Sequence, residues 1–157
     1  MHGRVYSAAF SKVAVTAAQD LFEIVAPADS AVIIKRFGFS QSSDVGDAQD
    51  EVLNILVKKG QTVSGSGGSS VTPVPRSLGD AAFGGTVEAN NTTKANTGTI
   101  VTHDSVGMNV RAGEKQVYIP EEEIIISPSE RCTIELVDAP ADSLTLSGVV
   151  VFEEVGG

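Results

Sequence analysis

Few side chains in this 157-residue chain are suited to catalytic chemistry. His103 precedes Asp104 in the sequence IVTHDSV, and the other histidine, His2, stands near the N-terminus. A triad would also need a serine on a strained Gly-x-Ser-x-Gly turn, and the sequence has no such pattern. A metal site built on imidazole needs further ligands beside a single histidine. The sequence therefore predicts no catalytic residue and no metal ligand.

The densest group of oxygen ligands is the acidic cluster Asp44, Asp47, Asp50 and Glu51. Carboxylates at short spacing in a loop are what a hard cation such as Ca²⁺ requires. The spacing is not that of the twelve-residue calcium loop, and Gly46 is not where that loop turns. We interpret the cluster as a solvated acidic turn rather than as a calcium site.

Two further features lack the context that reactive or cofactor-binding groups need. Cys132 is the only cysteine, and it alternates with Ile134 and Leu136, which predicts an inert thiol in the core. The sequence SGSGGSS at 64–70 is rich in glycine but lacks the Gly-Lys-Ser/Thr ending of a phosphate-binding loop. Its composition is typical of a flexible linker, so no cofactor is predicted.

The charge of the chain argues against two classes of partner. The formal net charge is −9 at pH 7, whereas nucleic-acid binding proteins carry a basic footprint. The same acidity disfavours an anionic membrane surface. The N-terminal sequence MHGRVYSAAFSK has no secretory apolar run, and no segment has transmembrane length. We expect a protein made and kept soluble, with neither nucleic acid nor membrane as partner.

The elements that would position these residues are β-strands. Valine (21) and isoleucine (10) outnumber leucine (7), and such β-branched side chains favour strands. We predict one all-β domain over residues 1–157, a jelly-roll-like antiparallel sandwich of about eight strands. Alternation predicts strands at 5–16, with a phase change near 11–12, and at 21–25, 32–41, 51–58, 99–103, 108–111, 117–119, 123–127, 131–136 and 144–153.

Two of these assignments involve a choice. Residues 46–60 carry helix start and stop signals, but Leu53, Ile55 and Val57 alternate as in a strand, and we favour the strand. The last two strands are separated by only a short turn, which predicts that they pair as a hairpin. Turns are also predicted at the two APADS sequences, 26–30 and 139–143, each before a long strand.

Residues 60–98 interrupt this strand pattern. Of these 39 residues, 24 are Gly, Ser, Thr, Asn or Pro. A loop of that size without regular structure is unusual in a compact domain and suggests a functional arm. We predict an extended loop or arm between strands that contacts a partner protein, with a mobile surface loop as the alternative. The candidate contact residues are Val71, Pro73, Val74, Pro75 and Phe83.

Four segments carry a resemblance to a known group of proteins. They are VTAAQDLFEIVAP (15–27), TVSGSGGSSVTPVP (62–75), TVEANNTT (86–93) and ADSLTLSGVVVFEE (141–154). In them the chain resembles small structural proteins of tailed-phage and prophage virions. The resemblance implies a head decoration, or cement, protein on the capsid exterior. Such proteins are small, rich in β-structure, homo-oligomeric and without enzymatic activity.

This resemblance and the composition together define the expected function. We expect a non-enzymatic virion structural protein, made in the host cytoplasm, that stabilises the head by bridging subunits of the major capsid protein. Self-association is expected, with a trimer favoured over a dimer. The alternative is a receptor- or carbohydrate-binding module of a phage tail or head fibre, although the chain has no Trp and only Tyr6 and Tyr118 to stack on sugars. A metal-dependent cupin-like enzyme ranks below both.

Overall fold

The computed structural model describes residues 3–42 and 50–156, which form strands and loops and no helix. The strands are β1 (Arg4–Val15), β2 (Gln19–Val25), β3 (Ser30–Gln41), β4 (Val52–Lys59), β5 (Ser69–Ser70), β6 (Val74–Pro75), β7 (Thr86–Asn91), β8 (Val101–Asn109), β9 (Glu114–Val117), β10 (Ile124–Ile126), β11 (Arg131–Leu136) and β12 (Leu144–Gly156).

The strands form two antiparallel sheets. In the β1 sheet the order is β10-β3-β12-β1-β6, and β9 also pairs with β3; in the β2 sheet it is β5-β7-β2-β11-β4-β8. The chain changes sheet at every step from β1 to β4. From β8 it crosses to β9 and β10 in the β1 sheet, returns to β11 in the β2 sheet and crosses again to β12. This order is that of a jelly roll. The prediction of an all-β, jelly-roll-like sandwich is confirmed, with β5, β6 and β7 added from residues 60–98.

The core lies between the two sheets. Phenylalanine rings connect them: the Phe22 ring of the β2 sheet lies 5.2 Å from that of Phe10 and 5.9 Å from that of Phe39, both in the β1 sheet. Phe37 extends the cluster, 5.8 Å from Phe39. Cys132 is also buried here, and burial raises the pKa of its thiol to about 12. The thiol is therefore protonated at neutral pH, as expected of a core residue.

Several local predictions are confirmed. β1 is one strand whose register shifts between Phe10 and Val13, and Lys12 at the shift has φ of 53°. The phase change in the sequence therefore marks a β-bulge. Residues 52–59 form a strand and not a helix, because β4 lies in the sheet between β11 and β8. The two APADS turns precede β3 and β12.

The prediction of a terminal hairpin is wrong. β11 pairs with β2 and β4, whereas β12 pairs with β1 and β3 in the other sheet. Because the two strands lie in different sheets, the turn at 137–143 crosses from one sheet to the other. Thr133 and Glu135 alternate with apolar residues as if they faced solvent, yet both are buried. The two strands predicted at 99–103 and 108–111 also prove to be a single strand, β8.

Candidate interaction surface

The segment predicted as an arm begins and ends at two glycines that contact each other. Gly60 and Gly98 have φ of 97° and 91°, which side-chain-bearing residues rarely adopt. A Cβ on Gly98 would lie 2.3 Å from the carbonyl oxygen of Gly60. Glycine is therefore required at both ends for the chain to leave and re-enter the sandwich at one point.

Beyond these glycines the two ends of the segment pair with each other. Val63 and Asn96 exchange two backbone hydrogen bonds of 3.0 and 3.1 Å, and Ser66 and Thr93 exchange two of 2.9 and 3.0 Å. We call the paired residues 60–68 and 92–98 the ribbon. The segment is thus not structureless, and its ends are held in antiparallel register.

The segment also contains strand β7, which the sequence analysis predicted to be part of the extended loop or arm. β7 lies in the β2 sheet between β2 and the short edge strand β5. Val87 and Ala89 are buried in the core, while Glu88 alternates with them. This alternation is typical of a strand, but it is short and lies within a stretch of polar residues, so the sequence analysis did not assign a strand to it. The predicted extended loop therefore has to be corrected at residues 86–91.

The ribbon covers a layer of buried polar side chains on the face of the β2 sheet that points away from the core. Glu23 lies between the core residues Phe22 and Ile24, so the strand alternation directs it to the opposite face. We call the following buried residues the polar layer: Asp20, Glu23, Asn91, Thr133 and Glu135. Buried polar groups are stable only when they are hydrogen-bonded.

Glu23 is the most extensively bonded member of the polar layer. Its carboxylate accepts hydrogen bonds from the Ser64 hydroxyl at 2.8 Å and the Gly65 backbone N–H at 2.9 Å, both in the ribbon. It also accepts from Arg131 Nε at 2.6 Å and Asn91 Nδ2 at 3.1 Å. One buried carboxylate thus joins the first half of the ribbon to β7 and β11.

Glu135 and Thr133 bind the ribbon through side chains. The Glu135 carboxylate lies 2.8 Å from the amino groups of both Lys58 and Lys94. Burial alone would raise the pKa of Glu135, but the two lysines outweigh it and the pKa is lowered. Gln61 donates from Nε2 to the Thr133 hydroxyl at 2.8 Å. Both halves of the ribbon are therefore anchored.

Asp20 is the least compensated member of the polar layer. It accepts one hydrogen bond, from the Ala95 backbone N–H at 2.7 Å, and its other oxygen has no partner among the described residues. Burial raises the pKa of Asp20 to about 7, against the lowering effect of the Ala95 bond, and Glu135 and Glu23 raise it further. Asp20 is thus a carboxyl that changes protonation near neutral pH beneath the ribbon.

Residues 69–85, which we call the loop, join the edges of the two sheets. At one end β5 pairs with β7 in the β2 sheet, and at the other β6 pairs with β1 in the β1 sheet. Backbone bonds continue both attachments, from Val71 N–H to the Val87 carbonyl at 2.8 Å and from Arg76 N–H to the Val5 carbonyl at 2.7 Å. The loop therefore closes one open side of the sandwich.

Two of the five predicted contact residues face into the molecule. The Phe83 ring lies 5.4 Å from the ring of Tyr6 and 4.9 Å from that of Phe152. The Tyr6 hydroxyl donates to the Ala81 carbonyl at 2.8 Å, which fixes the chain next to Phe83. Val71 also packs against the core. These side chains hold the loop to its own subunit.

The other predicted contact residues lie nearer the surface. Val74 is 53% exposed, and Pro73 and Pro75 are half-buried. Among the large apolar side chains of the described residues, Leu78 is the most exposed, at 87%. It was not among the predicted contacts, although Gly79 and Asp80 after it are turn signals. Leu78 belongs to what we call the exposed turn, residues 77–80, in which the Asp80 N–H bonds the Ser77 carbonyl at 2.9 Å.

The residues considered for chemistry lie elsewhere. His103 is exposed on β8, at a cleft of about 600 Å³ also lined by Asp104, Tyr118 and Glu121. Of the acidic cluster, Asp44 and Asp47 lie outside the described residues. Asp50 is 3.9 Å from Arg111, and the Glu51 carboxylate accepts from the Ala141 N–H at 3.0 Å.

Within residues 3–42 and 50–156, no three or more His, Cys, Asp or Glu side chains are grouped as they would be around a metal ion. The same residues form no helix with the length and apolar character needed to cross a membrane.

Comparisons with known proteins give no family. No protein-family model matches the chain, and no curated protein matches it either. A structure of the Gt strain of infectious bursal disease virus aligns with 99% of this chain and 42% of its own, at 12% identity and a TM-score of 0.20. VP17, a capsid protein of bacteriophage P23-77, aligns with 95% and 88%, at 10% identity and a TM-score of 0.15. Scores this low support no argument from either structure.

Proposed function

We propose that this protein is a non-enzymatic structural component of a phage virion, a head decoration or cement protein that binds the capsid exterior through its exposed turn. The proposal draws on the four segments that resemble phage virion proteins, one of which, 62–75, runs from the ribbon into the loop. The observation that carries it is Leu78, an apolar side chain 87% exposed on a turn whose base is anchored in the core by Phe83.

A turn held in this way is suited to docking. Because the loop is already ordered by Phe83 and by its pairing with β1, little conformational entropy is lost when Leu78 enters a pocket on a partner. Complete burial of a leucine side chain contributes about 1.5–3 kcal/mol. Val74, on the neighbouring edge strand β6, is a second exposed apolar side chain of the loop.

The partner in this proposal is the major capsid protein, and the protein acts as a homo-oligomer on the outside of the head. One Leu78 contact is weak, but several identical contacts in an oligomer raise the overall affinity through effective concentration. Bridging adjacent capsid subunits in this way would resist their separation. The chain's charge of −9 keeps free copies soluble before assembly.

The test compares two substitutions of exposed apolar residues. Leu78→Ser removes the proposed anchor, and Ile119→Ser is the control, since Ile119 is 54% exposed in the loop that follows β9. Co-sedimentation with expanded capsids should show Leu78→Ser binding roughly tenfold or more weakly, as loss of one buried leucine predicts. Ile119→Ser should bind like the wild type. Equal binding by all three proteins would overturn the proposed role of the turn.

A further inference from the structure

The two open sides of the sandwich differ in what covers them. The loop closes the side bounded by β5 and β6, whereas the opposite side is bounded by β8 in one sheet and by β9 and β10 in the other. Residues of these three strands line a cleft of about 600 Å³, a volume typical of small-ligand sites, which span about 300–1,000 Å³. We call it the acidic cleft, because its lining includes four carboxylates and a single lysine: Asp104, Glu121, Glu122, Glu123 and Lys59.

Two of these charged side chains already have partners in the protein. Lys59 lies 3.3 Å from Glu130, and Glu123 lies 2.8 Å from Lys35. The other three carboxylates form no ion pair with a lysine or arginine in residues 3–42 and 50–156. The acidic cleft therefore carries uncompensated negative charge, which attracts cations.

Asp104 is directed into the gap between the two sheets. It lies opposite Val57 on the neighbouring strand, and because Val57 is buried in the core, the two side chains share the inner face of the sheet. Val106 and Met108, at the next inward positions of β8, both pack against the core. The register shifts at His103, and β-bulges of this kind are frequent beside functional sites. A carboxylate thus stands where the strand alternation calls for an apolar residue.

The hydroxyl of Tyr118 is the second unusual group of the acidic cleft. Tyr118 is 7% exposed, and its ring lies 6.3 Å from that of Phe37. The buried hydroxyl forms no hydrogen bond of normal geometry with any described residue. Burial raises the pKa of this hydroxyl, and the neighbouring Asp104 carboxylate raises it further, so Tyr118 stays protonated at neutral pH. Buried polar atoms without a partner are rare in native proteins, and a bound ligand would satisfy this one.

We propose that the acidic cleft binds the guanidinium group of an arginine on a partner protein, with the Asp104 carboxylate and the Tyr118 hydroxyl oxygen as its acceptors. A guanidinium has five N–H donors in one plane, so it can bond both groups at once. Its alkyl stem can pack on Ile125, which lines the cleft and is 54% exposed.

Two observations favour an arginine from another molecule over other cations. A metal ion is a poorer fit, since the described residues hold no group of three or more His, Cys, Asp or Glu side chains suited to one. None of the chain's own arginines lines the cleft. The site lies on the side of the sandwich opposite the loop, so one subunit can contact two neighbours. The inference therefore goes beyond the proposed role of the exposed turn.

An NMR titration of the full-length protein with N-acetyl-arginine amide tests the site. We expect saturable shifts at the amides of Asp104 and Tyr118. N-acetyl-citrulline amide, which has nearly the same shape but no charge, should bind roughly tenfold more weakly or less, as loss of a charged hydrogen bond predicts. Asp104→Asn should weaken arginine binding to a similar extent.

Asp29→Asn is the matched control, since it removes the same charge at an exposed position before β3 that does not line the cleft. It should bind the arginine amide like the wild type. Equal binding of the arginine and citrulline amides, or equal binding by the two variants, would overturn the proposal. Shifts of the same amides by Ca²⁺ alone would also overturn it, because they would assign the cleft to a metal ion.

Tyr118→Phe separates a binding role of the hydroxyl from a structural one. The substitution keeps the ring beside Phe37 and removes only the hydroxyl. The variant should bind the arginine amide on the order of tenfold more weakly, yet unfold at no lower temperature than the wild type, because an unpartnered hydroxyl contributes no stability. A lower unfolding temperature would show that the hydroxyl is already bonded within the protein and would refute its role as an acceptor. These measurements use no capsids, so their outcome is separate from that of Leu78→Ser.

Discussion

The ribbon and the loop belong to one glycine-rich segment, but different forces hold them to the sandwich. The ribbon lies on buried carboxylates, with Glu23 accepting from Gly65 and Glu135 contacting Lys94. The loop is held by the Phe83 ring against Tyr6 and Phe152, and by short strand pairing. The ribbon is therefore expected to respond to pH and to loss of charge partners, and the loop to loss of apolar contact.

The difference explains how a sequence typical of a linker becomes ordered. Gly, Ser and Thr offer backbone and hydroxyl donors, and a layer of carboxylates is a suitable surface for them. The same residues have little apolar area, so the apolar contacts of the loop with the core come from Phe83 and Val71. The segment is ordered by the polar layer and the core residues that it contacts, and not by an intrinsic preference of its own residues for regular structure.

The largest expected effect is a pH-dependent gain in stability from Asp20→Asn. The pKa of Asp20 is about 7 when folded, against 3.8 as the unperturbed value. Because the folded pKa is the higher one, the stabilising contribution of Asp20 is complete below pH 4 and is lost as pH rises to about 7. A shift of this size corresponds to about 4 kcal/mol in full. Asn has nearly the same shape and can still accept from the Ala95 N–H.

Chemical denaturation at pH values from 4 to 8 measures this effect. The free energy of unfolding of Asp20→Asn should rise relative to that of the wild type across the interval and then level off above pH 7. A difference that stays constant with pH would show that the pKa of Asp20 is not raised in the folded state. The stability contributed by Asp20 would then be as independent of pH as that contributed by the loop.

The next effect concerns a charge partner of the polar layer. Arg131→Met removes the Nε donor 2.6 Å from Glu23, a carboxylate that is 2% exposed, and leaves that charge less compensated. We expect a loss of about 3 kcal/mol in the free energy of unfolding, because a buried ion that loses its partner is costly. Increased protease cleavage within residues 60–68 should accompany it, since Glu23 also fixes Ser64 and Gly65.

Arg111→Met is the matched control for this change. Arg111 lies 3.9 Å from Asp50, and both side chains are substantially exposed. An exposed pair of this kind contributes at most about 1 kcal/mol. If Arg131→Met were no more destabilising than Arg111→Met, Glu23 would not depend on its arginine, and the account of the ribbon as held by charge would be wrong.

The sequence predicts the strands of the sandwich better than it predicts the structure of residues 60–98. Alternation in β3 and the phase change in β1 are local signals, and the structure bears them out. The position of β11 between β2 and β4 is a long-range fact, and the alternation of Thr133 and Glu135 gives no sign that a ribbon covers them. Burial by residues distant in the chain cannot be deduced from a period of two.

The candidate contact residues show the same limit. Sequence composition delimited a segment whose ends, Gly60 and Gly98, contact each other in the structure. It could not separate Phe83, which packs inward, from Leu78, which points outward. Both are apolar residues in a polar stretch, and their directions depend on where the loop crosses β1. Turn chemistry at Gly79 and Asp80 was the one local signal that could have identified Leu78.

The smallest of the three effects belongs to the loop. Phe83→Ala removes a half-buried ring that contacts Tyr6 and Phe152. Full burial of phenylalanine would make the cost 3–5 kcal/mol, so about 2 kcal/mol is expected here. Since no titratable group is removed, the loss should be equal at pH 5 and pH 8, in contrast to Asp20→Asn. Thermal unfolding at both pH values measures it.

Leu78→Ser provides the control, because Leu78 lies in the same loop but faces solvent, and its substitution should change stability by less than about 0.5 kcal/mol. If Phe83→Ala were equally harmless, the loop would not be anchored by its ring, and the exposed turn would have no fixed position from which to bind. The two substitutions therefore separate the residue that places the turn from the residue that would contact a partner, which deletion of the whole loop cannot do.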